Sequence, residues 1–277
     1  MTLLKKIGEI PLSARIALVV LGLNFIIILF APMIAPYSQE TLVGDVWEAP
    51  GKEFILGTDQ VGRDLFSRLV YGARNTITIA IFITFVAFFV GSLLGFMATV
   101  LGGWVDELLS RTVDILMAFP TLIFALIALS ILGPSTINLV IIISLLTSTR
   151  VYRLARALAM DINVLDFVEV ARLRRDNIAW IMGREILPNA LPPLIAEFGL
   201  RFCFVFLFIS SLSFLGLGIQ PPAADWGAMV RENAGAISYG IAIPLYPAAC
   251  IAQLTVCTNL VVDWFLNLSS GRINDEL

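Results

Sequence analysis

Six apolar stretches, several of them about 20 residues long, decide what this chain can fold into, because a run of that length crosses the hydrocarbon core of a bilayer. They run over Ile16–Ile34, Thr76–Leu101, Val113–Leu132, Ile137 to about Thr149, Leu191–Leu217 and Ile241 to about Leu266. The remainder is too poor in charge to cover a water-facing globule. Of the 277 residues, 14% are charged and 58% hydrophobic, with a mean hydropathy of +0.91, whereas a soluble domain carries roughly 25% charged residues. The expected fold class is therefore all-α, a polytopic membrane protein with six transmembrane helices. Ile16–Ile34 follows a short basic head. It exceeds a usual signal core, and Pro32 and Pro36 crowd any cleavage site, so it is read as a retained first span.

Orientation follows from Lys and Arg. With the N-terminus inside, the cytoplasmic pieces carry Lys5, Lys6, Arg15, Arg111, Arg150, Arg153, Arg156, Arg172, Arg174, Arg175, Arg184 and Arg272. The outer pieces carry Lys52, Arg63, Arg68, Arg74 and Arg231. This imbalance predicts that both termini are cytoplasmic, together with the charged interval Asp161–Pro188. Leu132-Gly133-Pro134-Ser135-Thr136 reads as a tight turn joining the third and fourth spans.

The interval Asp161–Pro188 has internal structure. Asp166, Glu169 and Arg172 recur three apart, while Val164, Val168 and Ala171 fall on a second stripe. The spacing predicts a short amphipathic helix, a break near Asp176-Asn177, and a second helical turn ending at Leu187-Pro188. Pro188, lacking a donor N–H, favours a chain break before the next span. A loop of this kind could serve only as a basic anchor at the membrane surface. Its last residues point further.

Glu169-Val170-Ala171 followed by Ile186-Leu187-Pro188 resembles the EAA loop of ABC importer permeases. Leu56-Gly57-Thr58-Asp59-Gln60-Val61-Gly62-Arg63-Asp64, Ser67-Arg68 and Tyr71 to Arg74 are similar to the stretch before the second span of the dipeptide/oligopeptide/nickel permeases. Gly102 to Asp106 with Arg111, Asp114 and Phe119-Pro120 resembles that family's next connection. Leu212 to Gly218 with Pro221-Pro222 and Asp225-Trp226-Gly227 resembles the connection before its last span, which Asn259 and Asp263 match. The length and outer loop resemble the "C" partner of these paired permeases.

This resemblance implies a type I ABC importer permease fold in the bacterial inner membrane. It divides the chain into 1–75, first span and outer loop, and 76–277, the permease transmembrane domain with its coupling loop at 161–188. It implies an ATPase-coupling set of Asp166, Glu169, Ala171, Arg172, Arg175, Leu187 and Pro188. The implied partners are a second homologous permease subunit, two cytoplasmic ATPase subunits, an extracytoplasmic solute-binding protein and the lipid bilayer, with no nucleic acid. The implied cargo is peptides or related small polar solutes. The chain departs from the family at Arg175, where a glycine is usual, and at Val262. An arginine forced to positive φ costs on the order of 1 kcal/mol; Asn177 tolerates that geometry and offers the turn a place two residues later.

Asp59, Arg63 and Asp64 are read as groups that hold the outer loop together through hydrogen-bonded pairs or meet a delivered binding protein, ahead of a metal or catalytic reading. Pro221 and Trp226, with Met229, Ile237 and Tyr239, mark Gly216–Gly240 as a segment that packs on the helices or dips into the outer leaflet as a gate. Among ionisable residues at span ends, Glu197 and Arg201 are four apart and expected to pair within their helix. Asp114 and Arg153 also qualify, and Asp263 is expected to pair with an arginine from another span.

No enzyme is expected. The chain has no histidine, removing the commonest general base and metal ligand. Cys203, Cys250 and Cys257 lie in apolar segments and are read as small hydrophobes. The one Gly-Lys pair, Gly51-Lys52, is followed by Glu53 and has Val46 where a phosphate-binding loop needs glycine. No cofactor is assigned to the chain, so ATP and magnesium belong to partner subunits. The competing reading is an ion-gradient-driven secondary transporter working without ATPases, which needs acids or broken helices at mid-membrane.

Overall fold

The structure, a computed structural model, describes the backbone of residues 11–274 and the side chains of residues 11–267. Lys5 and Lys6 lie outside the described residues, as do the last three of the polar tail.

Helices make up most of the described residues. The first is α1 (Leu12–Ile34), followed after a long loop by α2 (Leu65–Leu101). A second group comprises α3 (Gly103–Met117), α4 (Thr121–Leu132) and α5 (Thr136–Asn163). Then come α6 (Asp166–Leu173), α7 (Ile178–Phe214), α8 (Trp226–Glu232) and α9 (Leu245–Asn274). Among the described residues the only β-type pairing is two isolated bridges, Leu42 with Arg63 and Thr58 with Asp64. The all-α reading holds.

Five helices (α1, α2, α5, α7 and α9) are long and apolar enough to cross a membrane. The sixth position is a bent pair. Val113–Leu132, expected as one span, is split between α3 and α4, which meet at 87°. Pro120 supplies the cause: it has no N–H, and its ring pushes Phe119 away from helical geometry. At 12 residues, α4 is about 18 Å long, short of a hydrocarbon core of about 30 Å.

Other boundaries also move. The second span was expected from Thr76, but α2 begins at Leu65 because Asp64 caps it, its carboxylate accepting from the Ser67 N–H at 2.8 Å. α5 runs past Thr149 through Arg150, Arg153 and Arg156 to Asn163. The expected turn between α4 and α5 is present. Gly133 has φ +89°, and the Asn138 side chain donates to the carbonyls of Leu132 and Gly133 at 2.9 and 3.0 Å.

The chain forms two compact units. One gathers Met1–Ile81, Leu129–Leu139 and Phe202–Leu277. In it α1 lies along α9, burying Ala14, Ala17, Asn24 and Ala31, a seam of mostly small residues that lets backbones approach. A kink at Phe30 precedes Pro32.

The other unit gathers Phe82–Ala128 and Val140–Arg201. Here α2 and α5 approach closely, a Cβ at Gly91 meeting the Ser148 carbonyl at 2.7 Å and one at Gly95 the Arg156 nitrogen at 2.9 Å. Asp106 of α3 holds Arg156 by two bonds of 2.6 Å, and Asp114, eight residues on, holds Arg153 at 2.6 Å. Phe88, Phe96, Val151 and Ala155 form a core with Val168, Ala171, Ile181, Ile186 and Leu194.

Candidate functional site

The residues singled out in 161–188 all belong to the second unit. α6 is anchored by one face, with Val168 and Ala171 at 0% exposure against Ile162, Ile181 and Ile186. Val164, expected on the same stripe, is 79% exposed because it precedes the helix. The opposite face presents Asp166, Glu169 and Arg172 together with Phe167, Val170 and Leu173. Asp166 and Glu169 sit in the first turn and Arg172 in the last, each sign matching the helix dipole. Arg172 donates to the Asn163 side chain at 2.7 Å. The Glu169 carboxylate makes no ion pair among the described residues.

The helix ends in a Schellman motif. The Arg175 N–H donates to the Arg172 carbonyl at 2.9 Å, and the Asp176 N–H reaches back to the Ala171 carbonyl at 3.1 Å. The geometry requires a left-handed residue between them, and Arg175 takes it with φ +63°. The turn has not moved to Asn177, which is extended at φ −73° and instead caps α7, accepting from the Trp180 N–H at 2.7 Å. Arg174 pairs with Asp176 at 2.7 Å and lies 3.6 Å from Glu185.

Pro188 does not break the chain. Helix α7 runs from Ile178 to Phe214 across it, with a π-helical turn at Ile181–Ile186. In this wider turn the Leu187 N–H bonds the Met182 carbonyl, five residues back. Widening the helix just before the proline relieves the clash its ring would make one turn back. Leu187 and Pro188 are both exposed on the outside of this turn.

In the first unit, Asp59, Arg63 and Asp64 lie in the loop before α2, and all three are buried. Gly57 and Gly62 permit its close folding, with φ of +79° and +85°; a Cβ would fall 2.2 Å from the Glu48 carbonyl at the first and 2.1 Å from that of Gly44 at the second. Asp59 is the hub. Its carboxylate accepts from the N–H groups of Val61 and Arg63 at 2.9 and 3.0 Å, from Arg63 Nε at 2.7 Å, and from Arg68 Nη1. Glu232 of α8 closes the cluster, 3.1 Å from Arg63 Nη2 and 3.0 Å from Arg68 Nη1. Burial works to raise the Asp59 pKa, but these donors outweigh it and hold the carboxyl below its ordinary 3.8. The pairing expected within the outer loop is present; its tie to α8 was missed, since Glu232 is 169 residues from Arg63 and no spacing signals the contact.

Of Gly216–Gly240, the part around α8 packs on neighbouring helices of its own unit. The Trp226 indole N–H donates to the Leu69 carbonyl at 2.9 Å, and its ring meets Phe206 edge-on at 6.1 Å. Asp225 caps α8, accepting from the Ala228 N–H and the Thr76 hydroxyl, both at 2.8 Å. Full burial pushes its pKa above 3.8 despite these bonds. Asn233 accepts from the Gln60 N–H at 3.0 Å and from the Trp47 indole at 3.4 Å, a second tie to the outer loop. Met229 is buried, while Ile237 and Tyr239, in the 3-10 turn after α8 whose buried residue is Ala236, are exposed. Pro221 is exposed and joined to Pro222 by a cis peptide bond.

The span-end residues divide. Arg201 and Glu197 pair within α7, and Asp114 pairs with Arg153. Asp263 is exposed and makes no ion pair among the described residues, contrary to expectation. Cys203 and Cys257 are buried and Cys250 half-buried, none in a disulfide.

Comparison with known proteins agrees with this architecture. Residues 87–275 match the family described as binding-protein-dependent transport system inner membrane component. The dipeptide transport system permease protein DppC of Alkalihalophilus pseudofirmus is 33% identical over 251 residues, covering 90% of this chain and 83% of the relative. The probable D,D-dipeptide transport system permease protein DdpC of Escherichia coli is 31% identical, covering 93% and 87%. The glutathione transport system permease protein GsiD of Pectobacterium atrosepticum is also 31% identical, covering 84% and 78%. With its apolar helices, its anchored α6 and a match over most of its length, the chain belongs to the binding-protein-dependent transport system inner membrane components.

Proposed function

We propose that this chain, as a permease subunit of an ABC importer, carries short peptides or related small polar solutes inward and is driven through α6 by an ATPase on the cytoplasmic side. It forms one half of the pathway, the other half being a second, homologous permease subunit, and a solute-binding protein delivers the cargo from outside. Two ATPase subunits bind and hydrolyse ATP with magnesium; this chain does neither. Both termini and residues 161–188 face the cytoplasm, in keeping with the placement of Lys and Arg.

The observation that carries the proposal is the division of α6 into two faces. Val168 and Ala171 lock it to the start of α7, while Glu169, Arg172, Phe167, Val170 and Leu173 are left for a partner. Force applied to that outer face passes into α7 through the core formed by Val168, Ala171, Ile181 and Ile186. A lever so built biases two states of the spans when a partner grips it more tightly in one of them. Peptide cargo is supported by the names of the relatives.

Charge reversal, Glu169→Arg, tests it. The variant is expected to insert and fold as the wild type does, to lose co-purification of the ATPase subunits, and to lose solute uptake. Unchanged uptake and assembly would sink the proposal.

A further inference from the structure

In the first unit, α8 is tied down before, at and after its seven residues. Ahead of it, the Ala224 N–H donates to the Gln39 side chain of the outer loop at 2.9 Å, and Asn75 of α2 donates to the Ala224 carbonyl at 2.9 Å. At its start, Asp225 accepts from Thr76 and Trp226 donates to Leu69, both on α2. At its end, Glu232 meets Arg63 and Arg68, and Asn233 accepts from the Gln60 N–H. A helix of this length measures about 10 Å, so these ties leave neither end free.

We propose that α8 is a brace and not a moving gate: it keeps its seat on α2 and the outer loop in both access states of the importer, and the three travel as one body. Packing leaves no clearance for it to slide. A Cβ at Gly72 of α2 would fall 2.7 Å from Trp226 Cδ1, and one at Gly227 would fall 2.2 Å from the Ser210 carbonyl oxygen of α7. Close-packed contacts do not deform continuously, so sliding would need a second matching seat.

Burial and charge argue against lifting it. Asp225, Trp226, Met229 and Asn233 are at most 2% exposed. Arg68 is 0% exposed, and its Nε and Nη2 meet no acceptor among the described residues, so Asp59 and Glu232 at Nη1 are the acceptors it has. Raising α8 would take Glu232 from a buried guanidinium already short of acceptors, and breaking a buried pair from one side is strongly unfavourable. The same movement would strip the Gln60 N–H and the Thr76 hydroxyl of their acceptors. Outer access then changes by movement of the whole block, an inference that rests on the transport reading above.

The test uses the assembled complex with Cys203, Cys250 and Cys257 replaced by alanine and new cysteines at exposed positions, Lys52 and Val61 in the outer loop and Ala234 after α8. Nitroxides on the pair Lys52→Cys and Ala234→Cys report their separation by double electron–electron resonance. The distance distribution is expected to be the same in the nucleotide-free and vanadate-trapped complexes, whereas a gate would shift it by about 5 Å, one helical turn, or more. Glu232→Ala, which frees one end of α8, should broaden it. The pair Val61→Cys and Ala234→Cys, each beside a residue of the Gln60–Asn233 bond, is then bridged by a short bismaleimide. Bridged complexes are expected to take up solute as fast as complexes reacted with a monofunctional maleimide. A state-dependent distance, an unbroadened Glu232→Ala distribution, or uptake lost only on bridging would each overturn the proposal. Uptake before bridging reads the transport assignment on its own, so failure of the brace is distinguishable from failure of that reading.

Discussion

The amide of Asp176 donates to the carbonyl of Ala171 at 3.1 Å, and this bond exists only because Arg175 between them is left-handed. A side chain in that conformation costs about 1 kcal/mol, which glycine does not incur. Arg175→Gly is therefore expected to raise stability by up to about 1 kcal/mol, whereas Arg175→Val, β-branched at positive φ, lowers it. Thermal unfolding of the three proteins in one detergent checks the order Gly, Arg, Val.

Asp59 touches both Arg63 and Arg68, and Arg68 is fully buried. Asp59→Asn keeps the shape but leaves two guanidinium groups short of charge, a loss of about 3–5 kcal/mol. The pH dependence has a definite sign. The folded carboxyl titrates below its ordinary 3.8, so its contribution is present above that value and fades as pH falls through the depressed one. Denaturation midpoints of the wild type should be insensitive to Asp59 near neutrality and fall in acid. The Asn variant should lack that acid-dependent loss.

Asp225 behaves oppositely. Burial raises its carboxyl above 3.8, so its contribution is fully present below that value and is lost as pH rises through the raised folded one. Asp225→Asn, which can still accept from the Ala228 N–H, should flatten this decline. Asp225→Ala removes the cap and should cost about 0.5–2 kcal/mol at every pH. Unfolding midpoints collected from about pH 4 to about pH 8 separate the two variants.

Ala171 has no free surface, while its neighbour Val170 is half exposed. Ala171→Leu should overpack the seat of α6, cost about 1–3 kcal/mol and loosen the helix; Val170→Leu should cost nothing measurable. Hydrogen exchange across 161–188 checks this, with faster exchange expected only in the first variant.

Much of the molecule was legible in the order of its residues. Long apolar runs force helices, since backbone groups in hydrocarbon must be satisfied within their own segment. The three-residue spacing of Asp166, Glu169 and Arg172 marked α6, and the i,i+4 spacing of Glu197 and Arg201 marked their pair. These are local rules acting over one or two turns.

What the sequence by itself determined is the class of chain, the number of apolar segments and the short helix between two of them, because each depends on neighbours within a few residues. Only the tertiary structure decided the rest. It bent α3 from α4 at Pro120 yet carried α7 unbroken through Pro188, where a π turn makes room for the ring. It seated Glu232 against Arg63 and Arg68, and Asn233 beneath Trp47 and Gln60. Packing and charge pairing between distant segments outweigh a single residue's preference by several kcal/mol, and no periodicity in the chain records which segments will meet.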